Sequence, residues 1–241
     1  MPKIIFHSNR LYNNVSNKFH PVPAKKLFPK WFSNSDRYIS IPGTENNYIN
    51  QEGGKVLNFK ACPALMDFFT SGYFYTTPCD LTFYKNEAGE IQVKTEIGFE
   101  DFCSRRDPMK DFVVPKGYHD MHFHWYPSWA PSLPKGYSAI YLSPVNRFDL
   151  PFITSAGIID NDSMNTPGLF PFFLHKDFEG VIPAGTPYVQ ILPFKREDWE
   201  MDFKFYDYQE ILDRHQDQAN RYRTKDGGAY KKITWSKKKY E

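Results

Sequence analysis

The chain has 241 residues, of which 41% are hydrophobic and 24% are charged, so it is long enough to bury a core and has a globular rather than a disordered composition. Its formal net charge of +2 excludes a strong overall field toward nucleic acid or membrane, and no run of about 18 apolar residues predicts a membrane span. The three cysteines show no CxxC spacing, which argues against a disulfide framework and, with no apolar leader, predicts a cytoplasmic protein.

Aromatic residues are unusually frequent, at 18% of the chain, and they favour half-buried pleated surfaces. The 19 prolines and 14 glycines are spread along the chain in short turns rather than clustered. Both features predict a mainly β protein with two or three helices.

The first predicted strand is the apolar segment 3–7, and it belongs to an N-terminal arm, residues 1–59, that we expect to pack on the core. Prolines interrupt most of this arm, so it has room for only a short helical turn around Trp31.

Residues 60–72 predict the first longer helix. Pro63 falls in its first turn, where the missing N–H costs little, and Gly72 is placed to end it. The segment is apolar on most sides, which favours a buried helix.

A hairpin follows, with a predicted strand over residues 73–84, a turn near residues 86–89 and a return strand over residues 91–97. Residues 101–110 are polar and predict a loop.

Three Pro-x-Gly turns then recur, at residues 115–117, 134–136 and 183–185. Proline fixes its own φ and glycine supplies the positive φ of a tight turn, so each turn can start a strand. We interpret these turns as scaffold.

Residues 207–223 give the clearest helical periodicity, and a glycine pair follows them. Residues 221–241 then carry eight Lys or Arg and two acids, and this basic tail predicts a solvated end. The tail is also the only feature of the sequence that suggests nucleic-acid binding. The expected organisation is one structural domain, with an arm (1–59), a core (60–206) and a C-terminal helix and tail (207–241).

Histidines cluster near the middle of the chain. His122 and His124 are two apart on a predicted strand and so share a face, with His119 nearby, which resembles the His-x-His metal site of cupins. The alternative is the polar face of an exposed strand whose other face buries Phe123 and Trp125.

Segments 133–144, 156–162 and 182–194 contain, in order, a Pro-x-Gly turn leading a strand, a Gly-Ile-Ile-Asp element, and a second Pro-x-Gly turn before an apolar strand. This order resembles the dUTPase and dCTP deaminase superfamily. The resemblance implies an antiparallel β-clip core and a homo-oligomer, with a trimer favoured. The whole chain also resembles proteins of marine tailed phages, which implies the host cytoplasm or the virion.

The resemblance also implies site residues. Asp160 matches the family carboxylate that binds the deoxyribose 3′-hydroxyl and helps to orient the attacking water. Together with Asp162 it could bind Mg²⁺, the cofactor expected of a nucleotide hydrolase, although Asp-Asn-Asp is also an ordinary turn sequence.

The family's phosphate loop is only partly matched. Its Pro-Arg-Ser-Gly sequence is replaced by residues 143–147, where Asn146 and Arg147 are the candidate ligand-binding residues and Arg147 is displaced by two positions. Tyr230, after the glycine pair, corresponds to the aromatic C-terminal arm that stacks on a base.

Three hypotheses follow from these patterns. The first is a binding or assembly module with a degenerate nucleotidohydrolase-like site. The second is a deoxynucleotide triphosphate hydrolase or deaminase that uses Asp160 and Arg147, and the third is a cupin-like metal enzyme that uses His122 and His124.

Overall fold

The structure of the protein is a computed structural model that describes residues 2–8, 19–51, 53–108, 110–222 and 235–241. It is 33% strand and 14% helical with antiparallel sheets, which confirms the predicted mainly β class with few helices. The β-clip arrangement itself stays a prediction.

Fourteen strands occur in the described residues, numbered here in chain order. They are β1 (Ile5–Ser8), β2 (Val22–Pro23), β3 (Tyr73–Thr76), β4 (Leu81–Lys85), β5 (Ile91–Thr95), β6 (Cys103–Arg106), β7 (His122–Trp125), β8 (Trp129–Ser132), β9 (Tyr137–Leu142), β10 (Phe152–Thr154), β11 (Gly157–Ile159), β12 (Phe170–Leu174), β13 (Gly180–Ile182) and β14 (Pro187–Lys195). The α-helices are α1 (Lys30–Ser33), α2 (Pro63–Thr70) and α3 (Tyr208–Tyr222), and two 3-10 helices cover Ala24–Leu27 and Phe59–Ala61.

The strands form four antiparallel sheets. Their orders are β1-β8, β10-β12-β7-β6, β11-β9-β14-β3-β2 and β13-β4-β5. The pairing of β9 with β14 runs over six residues, from Gln190 opposite Leu142 to Lys195 opposite Tyr137. This long pair positions the candidate site described below.

The chain divides into two compact units that do not follow the predicted boundaries. One unit consists of residues 1–27, 72–196 and Tyr240 and contains every described strand. The other consists of residues 28–71, 197–239 and 241 and contains the three α-helices found in the described residues.

The core of the strand-bearing unit is built from aromatic side chains. Phe123 and Trp125 are fully buried, as the alternation predicted. Trp125 stacks on Phe172 with ring centroids 3.7 Å apart, and its indole N–H donates to Thr154, whose hydroxyl donates to the Tyr188 carbonyl at 2.7 Å. Both polar groups of this buried contact are therefore satisfied.

The three Pro-x-Gly turns form as predicted. In each, the N–H of the following residue donates to the proline carbonyl, and Gly117, Gly136 and Gly185 have positive φ values of 84–89°. Two of the turns lead into β9 and β14.

The predicted strand over residues 73–84 is wrong in one respect, because it is two strands in different sheets. Pro78 has no N–H for a ladder bond, and Thr77 leaves β3 by donating its N–H to Thr186 and its hydroxyl to the Pro183 carbonyl. The hairpin of β4 and β5 is confirmed, with Leu81 opposite Thr95.

Two further predictions need correction. The polar segment 101–110 contains β6, an edge strand in which Cys103 is buried, Ser104 and Arg105 are partly buried and Arg106 is exposed. The helix predicted over 60–72 is α2, which buries Phe69 but leaves Phe68 about half exposed, because neighbouring side chains on a helix point about 100° apart.

The helical unit contains an aromatic cluster in which Phe32 and Phe69 have ring centroids 4.6 Å apart. Asp67 of α2 accepts hydrogen bonds from the Trp235 indole at 2.9 Å and from Lys238 at 2.6 Å. The described end of the basic tail is therefore anchored, not solvated along its whole length. No helix in the described part of the chain has the length and apolar character needed to cross a membrane.

Candidate functional site

The candidate site is built on the turn that leads into β9. The positive φ of Gly136 orients its N–H toward Asp162, which accepts it at 2.8 Å, and its carbonyl toward the N–H of Arg196, at 2.9 Å. Arg196 directly follows β14, and the pairing of Lys195 with Tyr137 places it beside this turn. The register of β9 and β14 therefore brings together residues that are far apart in sequence.

Asp160 belongs to the same group of side chains. It follows β11, whose pairing with β9 places Ile159 opposite Ala139 and so leaves Asp160 next to Ser138. The buried hydroxyl of Ser138 donates to Asp160 at 2.6 Å and accepts from the Arg196 guanidinium at 2.8 Å. We call Ser138, Asp160, Asp162 and Arg196 the carboxylate–arginine cluster.

Of the two carboxylates in the cluster, Asp162 is the more buried and the more fully hydrogen-bonded. Arg196 donates Nη1 to its Oδ1 at 3.1 Å and also pairs through Nη2 with its Oδ2. Only 8% of the Asp162 side chain is exposed, against 60% for Asp160. The Arg196 hydrogen bond, with that from Gly136, lowers the pKa of Asp162 to about 2.

The cluster does not fit a Mg²⁺ site. Mg²⁺ takes carboxylate oxygens in octahedral geometry, but both oxygens of Asp162 already accept hydrogen bonds. The Arg196 guanidinium also occupies the position between Asp160 and Asp162, with Nη1 3.2 Å from Asp160. The described arrangement is an internal ion pair that joins β9, β11 and β14.

Asn146 and Arg147 lie in the loop after β9. Asn146 has φ +58, and the N–H of Val145 donates to the buried side chain of Gln190 at 3.0 Å. The Arg147 guanidinium forms a bidentate pair with Asp149, with both contacts at 2.8 Å. Arg147 is 12% exposed, so its donors serve the loop that carries it.

The structure does not bring Arg147 to Asp160 within one chain. Asp160 contacts the first residues of β9, whereas Arg147 follows the last one. Four residues of extended chain, from Ser138 to Leu142, already span about 14 Å. Tyr230, the predicted base-stacking residue, lies outside the described residues.

The histidines lie on β7 and before it. His122 and His124 share a face as predicted, with ring centroids 5.0 Å apart, but β7 lies between β12 and β6 and His122 is only 6% exposed. His122 is therefore buried and His124 is partly buried, so this face is not the fully exposed polar face of the alternative. Arg106 on β6 is the cross-strand partner of His122.

These histidines do not form the predicted metal set. Among the described residues, no three or more His, Cys, Asp or Glu are grouped so as to hold a metal ion. His119 precedes β7, with its N–H bonded to the Leu174 carbonyl, and Arg106 adds a positive charge that disfavours a bound cation near His122.

The histidine rings are nonetheless in an unusual environment. In the described part of the chain, Nδ1 of His122 and Nδ1 of His124 are buried without a hydrogen-bond partner. Burial and the nearby Arg106 lower the pKa of His122, and burial, His122 and Arg106 lower the pKa of His124. Both side chains are therefore suited to the neutral state.

Sequence reasoning missed three residues at or beside the cluster. Ser138 and Arg196 belong to it, and Asn161 lies between its carboxylates, where its buried amide accepts from the Tyr141 hydroxyl at 2.8 Å. The signal for Arg196 is its position just beyond a strand that pairs with β9, which the sequence does not reveal without the register.

A separate open cleft of about 510 Å³ is lined by side chains that include His7, Ser8, Tyr126 and Asn165. None of the predicted site residues is among those that line it. Comparison with known proteins adds no assignment, since no family model, no curated protein and no solved structure matches the chain.

Proposed function

We propose that the protein is a homo-oligomeric assembly module and not a nucleotide hydrolase. The observation that supports this proposal is a run of large apolar side chains that are exposed to solvent between β14 and α3. Trp199, Met201, Phe203 and Phe205 are 86%, 82%, 69% and 91% exposed. Several large apolar side chains exposed so close together are typical of interaction sites.

The run continues into α3. Tyr208, Ile211 and Leu212 lie at the start of that helix and are also exposed. Seven large apolar side chains are thus exposed within fourteen residues, which is unfavourable for an isolated chain. Burying apolar surface in an assembly stabilises it by about 25 cal/mol per Å².

The engagement of the predicted catalytic carboxylates is consistent with a non-catalytic role. Asp162 is neutralised by Arg196, and Arg147 is neutralised by Asp149. Both residues therefore make their ion pairs within the chain.

The test is the mass of the full chain in solution. We expect wild-type protein to sediment as an oligomer and the Trp199→Ser/Phe205→Ser variant to sediment as a monomer with the same circular dichroism spectrum. Glu87→Gln, an exposed change in the β4–β5 turn, is the matched control and should leave the mass unchanged. A wild-type monomer at about 100 µM would refute the proposal.

The hydrolase hypothesis makes a different prediction. Since Asp160 and Arg147 are at opposite ends of β9, it requires a second subunit to complete the site. Deoxynucleoside triphosphates with Mg²⁺ would then raise the melting temperature, and Asp160→Asn would abolish the shift. The assembly proposal predicts no shift in either protein.

A further inference from the structure

We infer that two copies of the chain associate through residues 199–207, paired with each other as antiparallel extended segments about a two-fold axis at Phe203. This inference rests on the proposed assembly function and adds the partner, the register and the symmetry. We call residues 197–206 the exposed arm.

Residues 199–206 have the alternation of a strand but belong to none of the strand pairs in the described part of the chain. Odd-numbered positions from Trp199 to Phe205 are large and apolar, and the positions between them are Glu200, Asp202 and Lys204. The Lys204 ammonium lies 5.5 Å from the Tyr206 ring centroid, a contact expected between residues two apart on one side of extended chain. The arm therefore has one apolar side and one polar side.

Within residues 199–206 the backbone also has few hydrogen-bond partners. Among the described residues, the only arm N–H from 199 to 206 with an acceptor is that of Phe203, which donates to the Asp202 side chain at 2.7 Å. Unpaired backbone groups in an extended segment are a ready edge for another strand.

The sequence of the arm is complementary to itself. When two copies run antiparallel with Phe203 opposite Phe203, Asp202 of each copy faces Lys204 of the other, and Met201 faces Phe205. Two opposite-charge pairs and three apolar pairs result, each of a kind that stabilises antiparallel strands. Moving the axis by one residue to Asp202 would place two aspartates opposite each other, which is unfavourable.

The local hydrogen bond agrees with this register. Because the Phe203 N–H is already taken by Asp202, Phe203 suits a non-hydrogen-bonded position, where opposed Cα atoms approach to about 4.5 Å. Asp202 and Lys204 then occupy the hydrogen-bonded positions on either side. A two-fold interface of this type uses the same surface on both copies.

The occupant is a second copy of this chain and not a lipid surface. Glu197, Asp198, Glu200 and Asp202 give the first part of the arm four acidic side chains, which anionic membranes repel. Pairing two arms brings the apolar side chains of both copies side by side on one face of the two-stranded ribbon, where they remove part of each other's surface from water.

Charge reversal tests the register. Asp202→Lys and Lys204→Asp each create two like-charge pairs, so each single variant should raise the dimer dissociation constant about tenfold, and the double variant should restore it. Glu87→Lys is the control for net charge and should have no effect. Single variants without an effect, or a double variant that stays weak, would overturn the paired register.

Cross-linking tests the axis. In a Cys62→Ser background, Phe203→Cys should form an interchain disulfide rapidly, whereas Glu200→Cys should not, since its two copies would lie about 20 Å apart. Equal cross-linking of both variants would contradict a two-fold axis at Phe203.

The two proposals fail in distinguishable ways. If Trp199→Ser/Phe205→Ser dissociates the protein but charge reversal and cross-linking fail, the assembly function stands and this pairing falls. A mass of one or three chains overturns the pairing, and a mass of two or another even number supports it. The trimer favoured by the family resemblance is compatible only as a pair of trimers joined by their arms.

Discussion

Arg196 donates hydrogen bonds to both carboxylate oxygens of Asp162, although 34 positions separate them in the sequence. The contact joins the end of β14 to the turn after β11, and Gly136 at the start of β9 completes it. A guanidinium that donates to both oxygens of one carboxylate fixes orientation as well as charge. The ion pair therefore fixes β9, β11 and β14 relative to one another at one end of the five-stranded sheet.

Acid stability should depend on this pair. The pKa of Asp162 is about 2 in the folded state and about 3.9 in an unfolded chain, so its contribution is complete above about pH 5 and is lost as the pH falls toward 2. Urea denaturation between pH 7 and pH 2 should show that the free energy of unfolding falls less for Asp162→Asn than for the wild-type protein. An identical dependence of the free energy of unfolding on pH in the two proteins would contradict the assignment.

Arg196→Met should lower the melting temperature at pH 7, because it leaves the nearly buried Asp162 without its cation. Lys94→Met, at an exposed position on β5, is the control and should change it little. The difference between the variants should vanish near pH 2, where Asp162 becomes protonated.

The histidine pair should make the protein less stable as the pH falls from 7.5 to 5. Because the folded-state pKa values of His122 and His124 are lowered, the unfolded chain binds more protons than the folded chain between pH 7.5 and pH 5. The free energy of unfolding therefore falls as the pH falls. The variant His122→Asn/His124→Gln should lose less stability over the same range. NMR titration of the ring protons measures the pKa values directly, and values at or above 6.5 would contradict the prediction.

Gly72 and Gly185 offer a matched pair of substitutions. Both have positive φ, at 72° and 84°, so alanine costs about 1–2 kcal/mol at either position. A Cβ at position 72 would also lie 2.0 Å from the Ile191 carbonyl oxygen, whereas position 185 has open space. Gly72→Ala should therefore cost about 1–3 kcal/mol more than Gly185→Ala, as measured by urea denaturation.

Thr154 tests the polar contact in the aromatic core. Thr154→Val keeps the side-chain shape but leaves the Trp125 indole N–H and the Tyr188 carbonyl without this partner, which should cost about 2–3 kcal/mol. Thr154→Ser keeps both bonds and loses one buried methyl, at a cost of about 1 kcal/mol. Equal losses would show that the hydrogen bonds contribute nothing.

Local signals in the sequence predicted those parts of the fold that depend on neighbouring residues. The Pro-x-Gly turns, the β4–β5 hairpin and α3 formed as expected because their geometry depends on residues a few positions apart. The break between β3 and β4 was missed because Thr77 is held by contacts to residues 183 and 186, far along the chain. β6 was missed because an edge strand can carry polar and charged side chains, here Ser104, Arg105 and Arg106.

The candidate site was only half predictable for the same reason. Asp160 and Asp162 stood out as a pair, but the role of Asp162 is set by Arg196, which the strand register places beside it. Arg147 had the right chemistry for an anion, yet Asp149, two residues on, already uses it. Charge alone therefore could not distinguish a binding residue from one half of an internal pair.

The division of the helical unit between two distant segments has a consequence for biosynthesis. Residues 28–71 emerge from the ribosome long before residues 197–239, which complete their unit. At about 5–20 residues per second, the first segment waits roughly 8–30 s for its partner. A nascent chain halted after Arg196 would therefore hold all the described strands but only residues 28–71 of its helical unit.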